Sequence, residues 1–159
     1  MSLVPVGIAL GSNLGDRSAE LDAGIAFLRS LAVDGNIKES PRLETAPVDC
    51  PHGSSSFLNT VAEIRVDTYA LPPRGLMEKL QDFEQERGRA AVRPVNAPRP
   101  LDLDILYYAC LVIREPDLVI PHPRAHLRRF VLEPLSHLRP KLVLAGQTRT
   151  VCELLESLR

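Results

Sequence analysis

The chain has 159 residues, of which 45% are hydrophobic and 25% charged, and a formal net charge of −1, which fits one soluble globular domain over residues 1–159. Near-zero net charge argues against a general nucleic-acid binder, which needs a positive surplus to displace counterions, and the longest apolar stretch, residues 3–10, is broken by Pro5 and Gly7 and falls far short of the roughly 20 residues of a membrane span. Cys50, Cys110 and Cys152 are odd in number with no CxxC pair, which disfavours zinc ribbons and disulfide frameworks, and with no basic-then-apolar leader the cytoplasm is the expected compartment.

Residues 4–10 read as a buried strand, and Gly11-Ser12-Asn13-Leu14-Gly15-Asp16 as the tight turn after it. Asp16 is a helix N-cap, and Leu21, Ile25, Leu28 and Ala32 recur at helical spacing until Asp34-Gly35-Asn36 stops the run. Residues 37–44 form a second strand, which Pro41 makes an edge or bulged one. A loop over residues 45–56 leads into a third strand at 57–66. There Leu58, Thr60, Ala62, Ile64 and Val66 share one face and Phe57, Asn59, Val61, Glu63 and Arg65 the other, a pattern predicting a half-buried strand.

Pro72-Pro73 opens a helix with Leu76, Leu80 and Phe83 on its apolar stripe and Gly88 as the residue that ends it. After an irregular segment at 89–99, a fourth strand runs over residues 100–108, with a short fifth at 118–120. Residues 150–159 place Val151, Leu154, Leu155 and Leu158 on one helical stripe. The first four strands and two helices are ordered β-α-β-β-α-β. This predicts an α+β fold: a ferredoxin-like core with an antiparallel sheet, helices packed on it, and C-terminal additions.

The strongest chemical signal is Pro98-Arg99-Pro100-Leu101-Asp102-Leu103-Asp104-Ile105. On a strand, Asp102 and Asp104 project to the same face while the apolar residues between them enter the core. Two adjacent carboxylates repel unless a divalent cation offsets them, and Mg²⁺ binds through one or two carboxylates plus substrate phosphates. Arg99 adds a phosphate-binding fork upstream. The bland alternative is an edge strand carrying two solvated aspartates, and a DxD triplet also serves metal-dependent glycosyltransferases.

Sixteen of the nineteen basic residues are arginine, and eight of these lie between Arg87 and Arg129, the segment suited to a polyanionic ligand. Within it, His122 is held between Pro121 and Pro123, with Arg128, Arg129 and Phe130 following. Gln81 and Glu84, one turn apart beside an apolar stripe, either reach a ligand or are simply solvated. Thr45-Ala46-Pro47 together with Phe57 and Asn59 suits a flat heterocycle rich in donors and acceptors. No GxxxxGK[ST] occurs, so a nucleotide must bind without a P-loop.

Together these motifs resemble those of the 6-hydroxymethyl-7,8-dihydropterin pyrophosphokinases, from Ile8-Ala9-Leu10-Gly11-Ser12-Asn13-Leu14-Gly15 through Glu44-Thr45-Ala46-Pro47, Phe57-Leu58-Asn59, Glu84-Gln85-Glu86-Arg87-Gly88-Arg89 and the DxD segment to Pro121-His122, Arg128 and Phe130. The resemblance implies transfer of pyrophosphate from ATP to the pterin alcohol, with AMP leaving, in tetrahydrofolate biosynthesis. It implies two Mg²⁺ ions on Asp102 and Asp104, and a catalytic set of Arg89, Arg99, Asp102 and Asp104. It further implies ATP contacts from Gln81, Glu84, Arg89, Arg99, His122 and Arg128, and pterin contacts from Thr45, Pro47, Phe57, Asn59, Asp102 and Phe130, with the two phenylalanines sandwiching the ring.

Ala91 stands where many members carry a second arginine, Asn96 where some carry a tryptophan, and Pro123 where some carry an aromatic after the histidine. Arg93 is the nearest substitute charge, in a loop over residues 90–98 expected to order over both substrates. The expected partners are these small molecules only, with no nucleic acid or membrane, and the expected state is a monomer. Two other classes also fit parts of the pattern: a DxD nucleotidyl or glycosyl transferase, and a non-catalytic ferredoxin-like binding module.

Overall fold

The computed structural model describes residues 2–46, 56–88 and 100–158. In chain order the elements are β1 (Leu3–Ser12), α1 (Arg17–Leu31), β2 (Lys38–Glu39), β3 (Leu43–Thr45), β4 (Phe57–Asp67), α2 (Pro73–Glu86), β5 (Asp102–Tyr108), β6 (Ile113–Glu115), β7 (Leu118–Ile120), a 3-10 turn (Ala125–Leu127), α3 (Arg129–Leu138) and α4 (Val151–Ser157). The main sheet runs β2-β4-β1-β5, with β3 also on β4, and every pairing is antiparallel. This is the ferredoxin-like order expected from the sequence, with β2 and β3 together filling the place of one strand. β6 and β7 form a separate two-stranded hairpin.

Local chemistry accounts for most boundaries. Asp16 caps α1, its Oδ1 accepting from the Ala19 amide at 3.1 Å, and Gly88, at φ +103°, follows the C-cap of α2. The strand expected over residues 37–44 is divided at Ser40-Pro41, where proline has no amide to donate. Ser40 bridges the gap itself: its amide donates to Val61 O at 2.9 Å and its Oγ accepts from the Val61 amide at 3.0 Å.

One face of the sheet packs Val6, Ile8, Leu10, Ala62, Ile64, Leu101 and Leu103 against Leu21, Ile25 and Leu28 of α1 and Leu76 and Leu80 of α2. The opposite face is covered as well. Val61, Leu106 and Tyr107 lie under Val131, Leu132 and Leu135 of α3 and Val151, Leu154 and Leu155 of α4. The half-buried third strand predicted from alternation is therefore corrected: Thr60, Val61, Ala62, Glu63 and Ile64 are all buried, because α3, absent from the predicted elements, caps the second face. A bulge between Gly7 and Ile8 in the β1–β5 pairing puts both Leu106 and Tyr107 on that face.

Gly7 is the partner of Glu63 on β4 and of Tyr107 on β5. The Tyr107 ring crosses over Gly7, and its hydroxyl donates to Glu63 Oε1 at 2.5 Å, which also accepts from Arg139 Nη1 at 2.6 Å. Arg139 is the C-cap of α3, so a buried carboxylate ties the end of that helix to the sheet. Burial, followed by the Glu63 carboxylate that accepts its proton, pushes the Tyr107 hydroxyl far up, so it stays a donor. A Cβ on residue 7 would stand 2.2 Å from Tyr107 Cε1, deep within van der Waals contact of the ring. Gly7→Ala is expected to lower stability by about 1–3 kcal/mol through overpacking against an anchored ring. Urea unfolding checks this, and a wild-type midpoint would show that the ring yields freely.

Candidate active site

A cavity of about 390 Å³ opens on the face of the sheet covered by α3, within the size range of ligand pockets. Strand register assembles it. Gly11 of β1 pairs with Asn59 on one side and Asp102 on the other, and all three line the cavity with Thr45, Phe57, Asp104 and Phe130. Asn59 Nδ2 donates to Thr45 Oγ1 at 2.7 Å, which fixes the amide. Residue 11 leaves the floor bare, since a Cβ there would stand 3.0 Å from Asn59 Oδ1. Phe57 on β4 and Phe130 on α3 supply two aromatic walls.

A second, more polar groove of about 510 Å³ runs past the free edge of β5. It is lined by Gln81 and Glu84 of α2, Leu103, Asp104 and Ile105 of β5, and Asp117, Leu118 and His122 in and after the hairpin. Two residues, Asp104 and His122, line both cavities. Glu84 is not a solvated helix residue: it is 6% exposed, and its Oε2 accepts from the Leu103 amide at 2.7 Å. Leu103 lies between the two aspartates, so this bond fixes the outer edge of β5 where Asp102 and Asp104 project. Arg74 clamps the hairpin to α2, donating to Asp117 Oδ2 at 2.8 Å and Glu115 Oε2 at 2.9 Å.

His122 follows Pro121, and its amide donates to Leu106 O at 3.0 Å. Its Nδ1 accepts from the Arg124 amide at 3.1 Å, which leaves the neutral ring's proton on Nε2 as a donor for an anionic oxygen. Burial, then the Arg128 and Arg124 guanidinium groups, lower its pKa from 6.5 to about 4, against an opposing pull from Asp102. Arg128 lies over the Phe130 ring at 5.4 Å and immediately precedes α3, which starts without a side-chain cap. The Val131 amide donates to Arg128 O at 3.1 Å, so among the described residues the Arg129 and Phe130 amides are the ones left for an anion.

The structure thus brings Thr45, Phe57, Asn59, Asp102, Asp104, His122, Arg128 and Phe130 to one cavity, and Gln81 and Glu84 to the groove that joins it. Pro47, Arg89, Arg99 and the 90–98 loop lie outside the described residues. Arg124 and Arg129 also line the cavity. Sequence reasoning did not assign them a role, although the concentration of arginine between Arg87 and Arg129 was the signal that contained them. Among the described residues no three His, Cys, Asp or Glu groups form a closed metal cluster. Two carboxylates on one strand face beside a large polar groove are a donor set for a hard cation that takes most of its ligands from phosphate and water, so the residues fit Mg²⁺.

A family model described as 7,8-dihydro-6-hydroxymethylpterin-pyrophosphokinase matches residues 7–140. The chain belongs to this family. A pyrophosphokinase of Bacillus subtilis acting on 2-amino-4-hydroxy-6-hydroxymethyldihydropteridine is 41% identical over 132 residues, covering 82% of this chain and 75% of that protein. The protein of the same name from Haemophilus influenzae is 36% identical over 137 residues, covering 86% and 82%. Among solved structures, a Plasmodium falciparum HPPK-DHPS triple mutant with pteroate superposes with a TM-score of 0.74 at 13% identity, over 98% of this chain and 43% of that one. The chain thus spans less than half of that longer protein, which shares its fold. Membership makes the chain an ATP-dependent pyrophosphokinase, so the glycosyltransferase and non-catalytic readings of the DxD motif fall away.

In this pyrophosphokinase the lowered pKa of His122 sets a direction for stability. Between about pH 4 and pH 6.5 the unfolded chain binds a proton at His122 that the folded chain refuses. This group therefore takes stability away as pH falls through that window and contributes no pH dependence above it. In the metal-free protein, the His122 ring signals should titrate with a midpoint well below 6 by NMR. A midpoint at or above 6.5 would mean that the imidazole is neither desolvated nor flanked by the two arginines.

Proposed function

We propose that the α3-side cavity takes 6-hydroxymethyl-7,8-dihydropterin, that the groove along β5 takes ATP, and that the triphosphate passes between them at Asp104 and His122. The chain transfers pyrophosphate from ATP to this pterin in folate biosynthesis. The meeting of the two cavities at those two residues carries the site assignment. It lets the pterin hydroxyl and the phosphate chain approach over Asp102 and Asp104.

On this reading Phe57 and Phe130 hold the faces of the pterin, and Asn59, oriented by Thr45, meets its polar edge. His122 Nε2–H and the Arg128 guanidinium meet phosphate oxygens. Gln81 lines the nucleotide side, while Glu84 acts there by fixing β5. Arg89, Arg99 and Pro47 complete the ATP and pterin contacts. Asp102 and Asp104 would hold the two Mg²⁺ ions, which when bound would supply charge neutralisation to the phosphate groups.

The pterin hydroxyl oxygen bonds to the β-phosphorus, the bond from that phosphorus to the oxygen bridging it to the α-phosphorus breaks, and AMP leaves with that oxygen while the hydroxyl proton is released. The protein's part is positioning and electrostatics, as in other phosphoryl-group transfers. On this reading residues 1–159 are one domain acting as a monomer in the cytoplasm, a reducing compartment that suits Cys110 and Cys152 as free, exposed thiols. No helix among the described residues is long and apolar enough to cross a membrane.

The test is AMP formation from ATP and the pterin alcohol with and without Mg²⁺. Asp102→Asn and Asp104→Asn should each lower turnover on the order of 100-fold or more, since each removes a negative ligand where transition-state charge is balanced. Both variants should remain folded with cooperative unfolding transitions, which separates a lost metal ligand from a lost fold. Near-wild-type turnover of either at low Mg²⁺ would overturn the metal assignment.

A further inference from the structure

Arg124, Arg128 and Arg129 reach the cavity from one segment of six residues. Arg128 lies over the Phe130 ring at 5.4 Å, and Arg129 Nε pairs with Glu133 Oε2 at 3.2 Å. For Arg124, among the described residues, only the backbone is engaged: its amide donates to His122 Nδ1 and its carbonyl accepts from the Leu127 amide at 3.0 Å. Its guanidinium has no carboxylate partner there, although it stands in a cavity that contains Asp102 and Asp104. A guanidinium in such a cavity forms strong, often bidentate contacts with phosphate oxygens.

Position then selects which phosphates. Arg124 lines the pterin-side cavity and not the groove that holds Gln81 and Glu84, whereas His122, two residues before it, lines both. The adenosine and α-phosphate belong to the groove, and they leave with AMP. The β- and γ-phosphoryl groups end on the pterin, on the side of the junction where Arg124 stands.

Resting on the function proposed above, we propose that Arg124 binds the transferred diphosphoryl group, holding it as the outer part of ATP before transfer and as the pterin diphosphate after it. Arg124 is thereby a binding residue for the product, with little part in recognising the pterin ring or AMP. The backbone hydrogen bond to His122 couples the two residues in one turn, so that the imidazole meets the phosphate chain at the junction and the guanidinium meets it on the pterin side.

Calorimetry with Mg²⁺ and three ligands tests this: 6-hydroxymethyl-7,8-dihydropterin, its diphosphate, and AMP. Arg124→Ala should weaken binding of the diphosphate about tenfold or more, the loss expected for a charge-assisted contact. Binding of the pterin alcohol and of AMP should stay within about twofold of wild type, and Arg124→Lys should recover part of the loss. Unchanged diphosphate affinity in Arg124→Ala would overturn the proposal. So would an equal loss for the pterin alcohol, which would make Arg124 a wall of the ring pocket. A wild-type chain that binds neither the alcohol nor its diphosphate would instead overturn the functional reading beneath it.

Discussion

The absence of bulk on one side of the central strand is the constraint on which the site depends. On the α3 side, β1 presents Gly7, Ala9 and Gly11, while its other side presents Val6, Ile8 and Leu10 to the core. At Gly7 the missing side chain lets Tyr107 cross from β5 to the Glu63 carboxylate on β4. At Gly11 the same absence leaves a floor between Asn59 and Asp102. A strand with a larger residue at the first position could not close the second layer with this tyrosine, and at the second it would fill the cavity.

From that strand outward, the remaining contacts hold in place the walls of the cavity. The Glu63–Arg139 pair fastens the end of α3 whose beginning carries Phe130 and adjoins Arg128. Glu84 fastens the edge of β5 between its two aspartates. Arg87 makes a forked contact with Glu20 of α1, with Nη2 2.7 Å from Oε2, and so anchors the end of α2. These are buried or half-buried carboxylates used as fixed acceptors. Removing one partner leaves the other unsatisfied and costs more than the contact itself contributes. The aspartates at the junction owe their common placement to the strand itself, since Asp102 and Asp104 lie two residues apart on β5 and both line the cavity.

Much of this was legible in the sequence because it rests on local rules. The cap at Asp16, the prolines opening α2, Gly88 ending it, and the i, i+2 placement of Asp102 and Asp104 all follow from short-range chemistry. The ferredoxin-like order followed from them. The DxD and arginine pattern pointed to residues that line the two cavities, and Phe57 with Asn59 to two that line the α3-side one.

What was not legible depends on distant packing. Helix α3 is entered through Arg128 and Arg129 and contains Pro134, two features that masked the stripe of Val131, Leu132 and Leu135. Without α3, strand β4 looked half exposed. Glu84 stood open between a ligand contact and a solvated side chain because the amide it accepts from, on Leu103, comes from a distant strand. Arg124 could not be separated from other surface arginines until the fold placed it beside the aspartates.

The central claim is that the register of β1 leaves an open floor at Gly11 on which the pterin rests. Residue 11 is in extended backbone, so Gly11→Ala is compatible with the strand. Its methyl would lie 3.0 Å from Asn59 Oδ1 and 3.6 Å from Phe57 Cδ1. The Asn59 amide cannot turn away without breaking its bond to Thr45. The direct measurement is calorimetric affinity of Gly11→Ala for 6-hydroxymethyl-7,8-dihydropterin and for a non-hydrolysable ATP analogue, beside its unfolding midpoint. The account predicts a folded protein whose pterin affinity falls about tenfold or more, as expected when a well-packed site is overfilled, with nucleotide affinity near wild type. Wild-type pterin affinity in a folded Gly11→Ala would contradict it.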